Sequence, residues 1–178
     1  LVVSKKESFW LAMDSAYNNS SIYAYEYALN QQQITIDFEM LRSITMLFSK
    51  AMEAKSQYTQ EHSKYVAAVA RFLATEFNFS LEHQQHIELA GLLHDLGKLR
   101  VPDNILMKQA PLNQAERARM LRHSFDTMQL LKRIFPDTRI AEWASYHHEN
   151  LSGDGYPFHL SSNELDIGCR IVAVAEVF

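Results

Sequence analysis

The sequence predicts an all-α fold with a helical N-terminal extension. Apolar residues recur at steps of three and four along most of the chain, which is the spacing of amphipathic helices. Helix-capping residues mark the beginnings of two of these stretches. Ser80 precedes one, and Asn113 precedes the other, with Glu116 three residues later as in a capping box. The chain has 178 residues, 47% of them hydrophobic and 21% charged, so it is long and apolar enough to bury a core.

The helical rhythm divides the chain into an extension and one domain. Residues 1–35 have only a weak rhythm, so we expect a helical extension or the end of a regulatory region there. The rhythm strengthens at Ile36 and predicts a long amphipathic helix that ends at about residue 56. Its apolar positions are Leu41, Ile44, Leu47, Phe48, Ala51 and Met52. We therefore predict that residues 36–178 form a single domain.

The later helices are predicted from the same spacing. One follows His62. Another follows Ser80 and places His94 and Asp95 at its C-terminal end, with Gly97 as a residue suited to ending it. Residues 170–178 have the composition of a buried strand. We predict a helix there instead, because a helix would present Glu176 to the histidines described below.

Composition narrows the classes of function. A net charge of −4 argues against binding to a polymeric nucleic acid, which calls for a basic face, but it is compatible with a small nucleotide. No window approaches the roughly 18 apolar residues that suggest a membrane span, and the N-terminal residues do not resemble a signal peptide. The single cysteine, Cys169, cannot form an intramolecular disulfide, which agrees with a reducing compartment. We therefore expect a cytoplasmic protein.

His94 and Asp95 form the first motif that carries chemistry. An imidazole beside a carboxylate at a helix end can bind a hard-to-borderline cation, and the two oxygens of Asp95 can bridge a second one. Two-metal hydrolases hold their metals about 3.5–4 Å apart, where a bridging anion offsets the repulsion between them. A lone His-Asp pair is more often a surface pair or a helix end, so its meaning depends on the rest of the pattern.

The rest of the pattern is a series of histidines and a glycine-rich loop. It comprises His62, His94-Asp95 with Gly97-Lys98, His123, His147-His148-Glu149, and Gly155-Tyr156-Pro157. From about residue 50 to residue 178, these motifs and their order resemble the HD-GYP family, a branch of the HD phosphohydrolases. The resemblance implies an HD-domain helical bundle that continues beyond Phe178.

The resemblance also implies a set of metal ligands. One metal site would consist of His62, His94, Asp95 and Glu176, and three further histidines would complete a second: His123, His147 and His148. Two divalent ions are implied, with iron or manganese as the usual occupants, and mixed nitrogen and oxygen ligands suit both. Glu176 departs from the family, in which an aspartate, one methylene shorter, occupies this position.

The substrate that the resemblance implies is cyclic di-GMP or a related cyclic dinucleotide, opened to pGpG and onward to GMP. Asp95 and Lys98 would be the catalytic residues, with Lys98 acting as a mobile positive charge on a phosphate. Lys98 and the loop of Gly155, Tyr156 and Pro157 would bind the substrate. In that loop, Gly155 can take backbone angles that other residues avoid, and Pro157 stiffens the chain.

Two alternatives to this function remain open. The domain could bind cyclic di-GMP or a protein partner without turnover, which Glu176 favours and the complete set of histidines disfavours. It could instead be a general HD phosphohydrolase acting on another nucleotide, although the His-His-Glu and Gly-Tyr-Pro elements disfavour that function. A regulatory domain and a second copy in a homodimer are the candidates for protein partners.

Overall fold

The computed structural model describes residues 36–55 and 61–178, and this part of the chain is helical apart from loops and one isolated bridge between Ser152 and Ser161. The helices are α1 (Phe38–Lys55), α2 (His62–Glu76), α3 (Leu81–Leu93), α4 (Asp103–Leu106), α5 (Gln114–Leu121), α6 (His123–Ile134), α7 (Ile140–Ser145) and α8 (Ile167–Val177). A 3-10 turn, Leu96–Arg100, follows α3. The predicted all-α fold is confirmed. Asp37–Phe178 form one compact unit, whereas the helical extension predicted for residues 1–35 lies outside the described residues.

The centre of the bundle is the close packing of α2 against α3. A Cβ atom on Gly91 would lie 2.8 Å from the Cα of Ala67, so small residues at this crossing allow the two backbones to approach. Helix α8 packs on both helices of this pair, and α7 packs on α3 and α8. The fully buried apolar side chains around the crossing include Val66, Ala70, Ile87, Leu89 and Val172. This packing brings the ends of several helices together.

The predicted capping signals are present. The hydroxyl of Ser80 accepts a hydrogen bond from the backbone amide of His83 at 3.3 Å. Asn113 and Glu116 form a complete capping box, with distances of 2.9 and 2.8 Å. Residues 170–178 lie almost entirely within α8, so the helix predicted there is confirmed and the strand is excluded.

Helix α1 begins and ends close to its predicted limits, but its apolar rhythm does not mark its buried face. Ile44, Leu47 and Phe48 are exposed, whereas Thr45 and Ser49 are buried with Met52. Among the described helices, none combines the length and the apolar character needed to cross a membrane.

The third helix places His94 and Asp95 at its C-terminal end, as predicted, but the prediction that Gly97 terminates it is wrong. Helix α3 ends at Leu93, and Gly97 lies within the 3-10 turn without a positive φ. A Cβ atom at Gly97 would clash with the carbonyl oxygen of His123. Glycine is therefore required at this position by the contact between the turn and α6, not by helix termination.

Candidate metal centre and its surroundings

The structure brings the seven predicted metal ligands together at helix ends. Two of them begin a helix, one lies in the last turn of a helix, and four follow a helix: His62 (α2) and His123 (α6), Glu176 (α8), and His94, Asp95 (after α3), His147 and His148 (after α7). The cluster joins residues up to 114 positions apart in the chain.

The ligand atoms of the described residues form two groups that share no residue, and a third group, of His94, Asp95 and His147, connects them. In the first, Oε2 of Glu176 lies 2.8 Å from Nε2 of His62 and 3.1 Å from Nε2 of His94. The second group consists of the imidazoles of His123, His147 and His148. Within each group the ligand atoms all lie within 4.8 Å of one another, so each group can surround one cation.

Asp95 lies between the two groups. Its Oδ2 is 3.3 Å from Nε2 of His94, and its Oδ1 is 3.4 Å from Nε2 of His123. The carboxylate thus presents one oxygen to each group, as a bridging ligand would. Nζ of Lys98 lies 2.5 Å from Oδ2 of the same carboxylate, which places a positive charge beside the cluster.

Backbone carbonyls orient three of the imidazoles. Nδ1 of each ring lies 2.6–2.8 Å from the carbonyl oxygen of the residue three positions earlier, for His94 with Gly91, His123 with Met120, and His147 with Ala144. A carbonyl oxygen only accepts, so Nδ1 carries a hydrogen, and in the uncharged form of each ring Nε2 keeps its lone pair. Metal-binding histidines are commonly oriented in this way.

Burial keeps the second group neutral. It lowers the pKa of His123 and takes that of His147 well below its usual range. Burial and the neighbouring His123 lower the pKa of His148 to about 4. At neutral pH the three imidazoles are therefore uncharged and can each donate a lone pair to a cation.

In the first group, neighbouring carboxylates favour the protonated, positively charged form of His94. Burial alone would lower the pKa of His94, but the negative charges of Asp95 and Glu176 outweigh burial and raise it to about 10. Nε2 of His94 and Oδ1 of Asp95 are buried and have no hydrogen-bond partner among the described residues. Leaving such atoms unsatisfied costs roughly 1–3 kcal/mol each. A divalent cation would satisfy both atoms, so the donor set fits a metal site.

Thr127 holds the turn that carries Lys98. Its buried hydroxyl accepts a hydrogen bond from the amide of Gly97 at 2.8 Å and donates one to the carbonyl of His94 at 3.1 Å. The sequence pattern did not single out this residue. Thr127 comes four positions after His123 and so lies on the same face of α6, which is the signal that would have identified it.

The predicted substrate loop packs against the second group. The ring of Tyr156 stacks on that of His148, with centroids 4.6 Å apart and planes 25° apart, and the Tyr156–Pro157 peptide bond is cis. Gly155 was predicted to adopt backbone angles that other residues avoid. This reason is wrong, because Gly155 has no positive φ. A Cβ atom there would clash with the backbone at Glu149, so close approach is what requires glycine.

Glu149 holds the same loop in place by hydrogen bonds. This buried carboxylate accepts hydrogen bonds from the amides of Phe158 at 2.7 Å and Leu160 at 2.9 Å. Glu149 belongs to the His147-His148-Glu149 motif of the sequence, but no role was predicted for it. Since it directly follows His147 and His148, it ties the substrate loop to the segment that carries two candidate ligands.

Comparison with known proteins agrees with this arrangement. Residues 44–178 match the HD domain family, whose members bind divalent metals. A protein of Vibrio cholerae serotype O1 named 3'3'-cGAMP-specific phosphodiesterase 1 is 37% identical over 97% of this chain and 40% of its own length. A Thermotoga maritima protein named cyclic di-GMP phosphodiesterase is 35% identical over 79% of this chain and 38% of its own length. The chain thus spans about two fifths of these relatives. By its matching residues and its motifs, it belongs to the HD domain family and, within it, to the HD-GYP type.

Proposed function

We propose that this chain is a metal-dependent phosphodiesterase domain that opens a cyclic dinucleotide in second-messenger signalling. The observation that carries the proposal is a pair of buried atoms, Nε2 of His94 and Oδ1 of Asp95. Neither atom has a hydrogen-bond partner among the described residues, and both lie within a cluster of imidazoles and carboxylates. The names of the relatives supply the substrate class, since they specify cyclic di-GMP or 3'3'-cGAMP. Hydrolysis of cyclic di-GMP to pGpG, and onward to GMP, is the expected reaction.

Two divalent ions, iron or manganese, are the proposed cofactors. His62, His94, Asp95 and Glu176 would hold one, and Asp95 would share the other with His123, His147 and His148. Nitrogen and oxygen donors in this mixture suit either metal. When bound, the cations would supply Lewis acidity toward a phosphoryl oxygen and toward the attacking water.

The residues around the cluster would position the phosphate and balance its charge. Water adds to one phosphorus, the bond to the 3' oxygen breaks, and that oxygen leaves as a hydroxyl group. Lys98 would stabilise the charge that develops on the phosphoryl oxygens. Burial is the main cause that raises the pKa of Tyr156 above its usual range, so its hydroxyl stays protonated and would donate a hydrogen bond to the substrate.

The test begins with anaerobic purification and metal analysis. Turnover of cyclic di-GMP and of 3'3'-cGAMP is then followed by chromatography with iron or manganese. Asp95→Asn should abolish turnover, because it removes the charge shared by both groups, whereas the control Asp137→Asn changes an exposed aspartate and should retain it. Two metals per chain and a linear product from the wild-type protein would support the proposal. Nucleotide binding by the metal-loaded wild-type protein without any product would instead favour the sensor alternative.

A further inference from the structure

The last turn of α1 contacts the backbone beside the first ligand group. Oε2 of Glu53 accepts a hydrogen bond from the amide of Glu61 at 3.2 Å, and Oε1 accepts one from the amide of Ser63 at 3.1 Å. These two amides flank His62, the first residue of α2. Glu61 occupies the N-cap position of α2 with φ 65° and makes no side-chain capping bond. Glu53 therefore caps, from another helix, the helix that begins with a candidate metal ligand.

The same turn of α1 contacts the backbone beside Lys98. Nζ of Lys55 donates hydrogen bonds to the carbonyls of Leu99 at 2.9 Å and Val101 at 2.7 Å, and it lies 3.2 Å from Oδ1 of Asp103. These carbonyls belong to the end of the 3-10 turn and to the residue that follows it. Thr127 binds the beginning of this turn, so Lys55 completes its attachment at the other end.

We propose that Glu53 and Lys55 are positioning residues for the candidate metal centre. Glu53 fixes the start of α2 and, through it, His62, whereas Lys55 fixes the turn that presents Lys98. The hydrogen bonds of both side chains go to backbone groups, so each acts on the site through the backbone. The inference rests on the proposed function where turnover is measured, but its metal-binding and amide-exchange consequences do not depend on turnover.

The test compares Glu53→Ala and Lys55→Met with two controls on the exposed face of α1, Glu39→Gln and Lys50→Met. Loss of the cap in Glu53→Ala should weaken binding of the first metal, the one assigned to the group that contains His62, about five-fold. Titration of the metal-free protein with manganese measures this affinity. Glu53→Gln keeps one acceptor and should recover part of this affinity. If Glu53→Ala does not fold, Glu53→Gln alone decides, since unchanged affinity in that variant would contradict the role of Glu53.

Lys55→Met should give a different result. Metal affinity should stay at the wild-type value, whereas kcat/KM should fall about ten-fold and Lys55→Arg should restore most of it. In a Lys98→Met background, Lys55→Met should have no further effect on kcat/KM, because the residue that it positions is gone. Amide hydrogen exchange in residues 96–101 should become faster without metal or nucleotide.

Two results would overturn the inference. One is a metal affinity of Glu53→Ala equal to that of Glu39→Gln, and the other is unchanged amide exchange in Lys55→Met together with additive effects of Lys55 and Lys98. If the wild-type protein turns over no cyclic dinucleotide, the proposed function fails. The metal titration and the amide exchange still decide whether Glu53 and Lys55 position the site.

Discussion

The carboxylate of Glu176 lies 2.8 Å from Nε2 of His62, a residue 114 positions earlier in the chain. The same carboxylate oxygen lies 3.1 Å from Nε2 of His94. The glutamate side chain, one methylene longer than aspartate, thus reaches from α8 to two imidazoles on other elements. The carboxylate and the two imidazoles thus offer ligand atoms that lie close enough together to surround one cation.

We expect Glu176→Gln to weaken binding of the first metal by at least about ten-fold, because it removes a charged ligand and leaves a neutral amide. Glu176→Asp keeps the charge but shortens the reach, so its affinity should lie between those of the wild-type protein and Glu176→Gln. Titration of the metal-free variants with manganese measures both affinities. Wild-type affinity in Glu176→Asp would show that α8 shifts to accommodate the shorter side chain.

Gly97→Ala should destabilise the protein by about 1–3 kcal/mol, because its Cβ would clash with the carbonyl oxygen of His123 and force the turn away from α6. Urea unfolding gives the free energy of unfolding. Gly153→Asn is the control, since Gly153 has φ 83° and no atom closer than 3.8 Å to an added Cβ, and asparagine tolerates this conformation. Equal losses in both variants would contradict the clash at Gly97.

Tyr156→Leu should weaken binding of the second metal, because it removes the ring that stacks on His148. An aromatic contact contributes about 0.5–1.5 kcal/mol, which corresponds to a change of roughly two- to ten-fold. Tyr156→Phe keeps the ring and should retain the wild-type metal affinity. A loss of affinity in Tyr156→Phe would assign the effect to the hydroxyl group instead.

Asp166→Ala should destabilise the protein at pH 7 and less so in acid. Asp166 caps α8 by accepting a hydrogen bond from the amide of Cys169 at 2.9 Å, and it also accepts one from the indole of Trp143 at 3.0 Å. Burial alone would raise the pKa of Asp166, but these bonds outweigh it and hold the pKa below its usual value of 3.8. The ionised carboxylate therefore contributes stability above its unfolded-state pKa, and this contribution is lost as the pH falls through the lower folded-state pKa.

The expected loss of unfolding free energy in Asp166→Ala at pH 7 is about 1 kcal/mol, as for other helix caps. Urea unfolding between pH 7 and pH 2.5 measures how this loss shrinks. The control is Asp137→Ala, which changes an exposed aspartate. A loss that stays constant down to the lowest pH would contradict the assigned role of the carboxylate.

Several features were predictable because they are local. Apolar spacing predicted α1, α2 and α3, and Ser80 and Asn113 marked the beginnings of α3 and α5. The order of the histidine motifs identified the side chains that meet in the cluster. The spacing from His123 could have singled out Thr127 as a residue. Its contacts, like those of Glu53 and Lys55, were not predictable, because each joins a side chain to backbone groups of another element.

By itself, the sequence determined the all-α fold and the types of side chain available for a metal site. Helical period and capping depend on residues within a few positions of one another, so they can be read along the chain. Only the tertiary structure decided that one oxygen of Asp95 faces His94 and the other faces His123. It also decided that Gly97 and Gly155 serve close backbone approach. Both results depend on how the helices and the loops that join them pack, and this packing brings distant residues within hydrogen-bond distance.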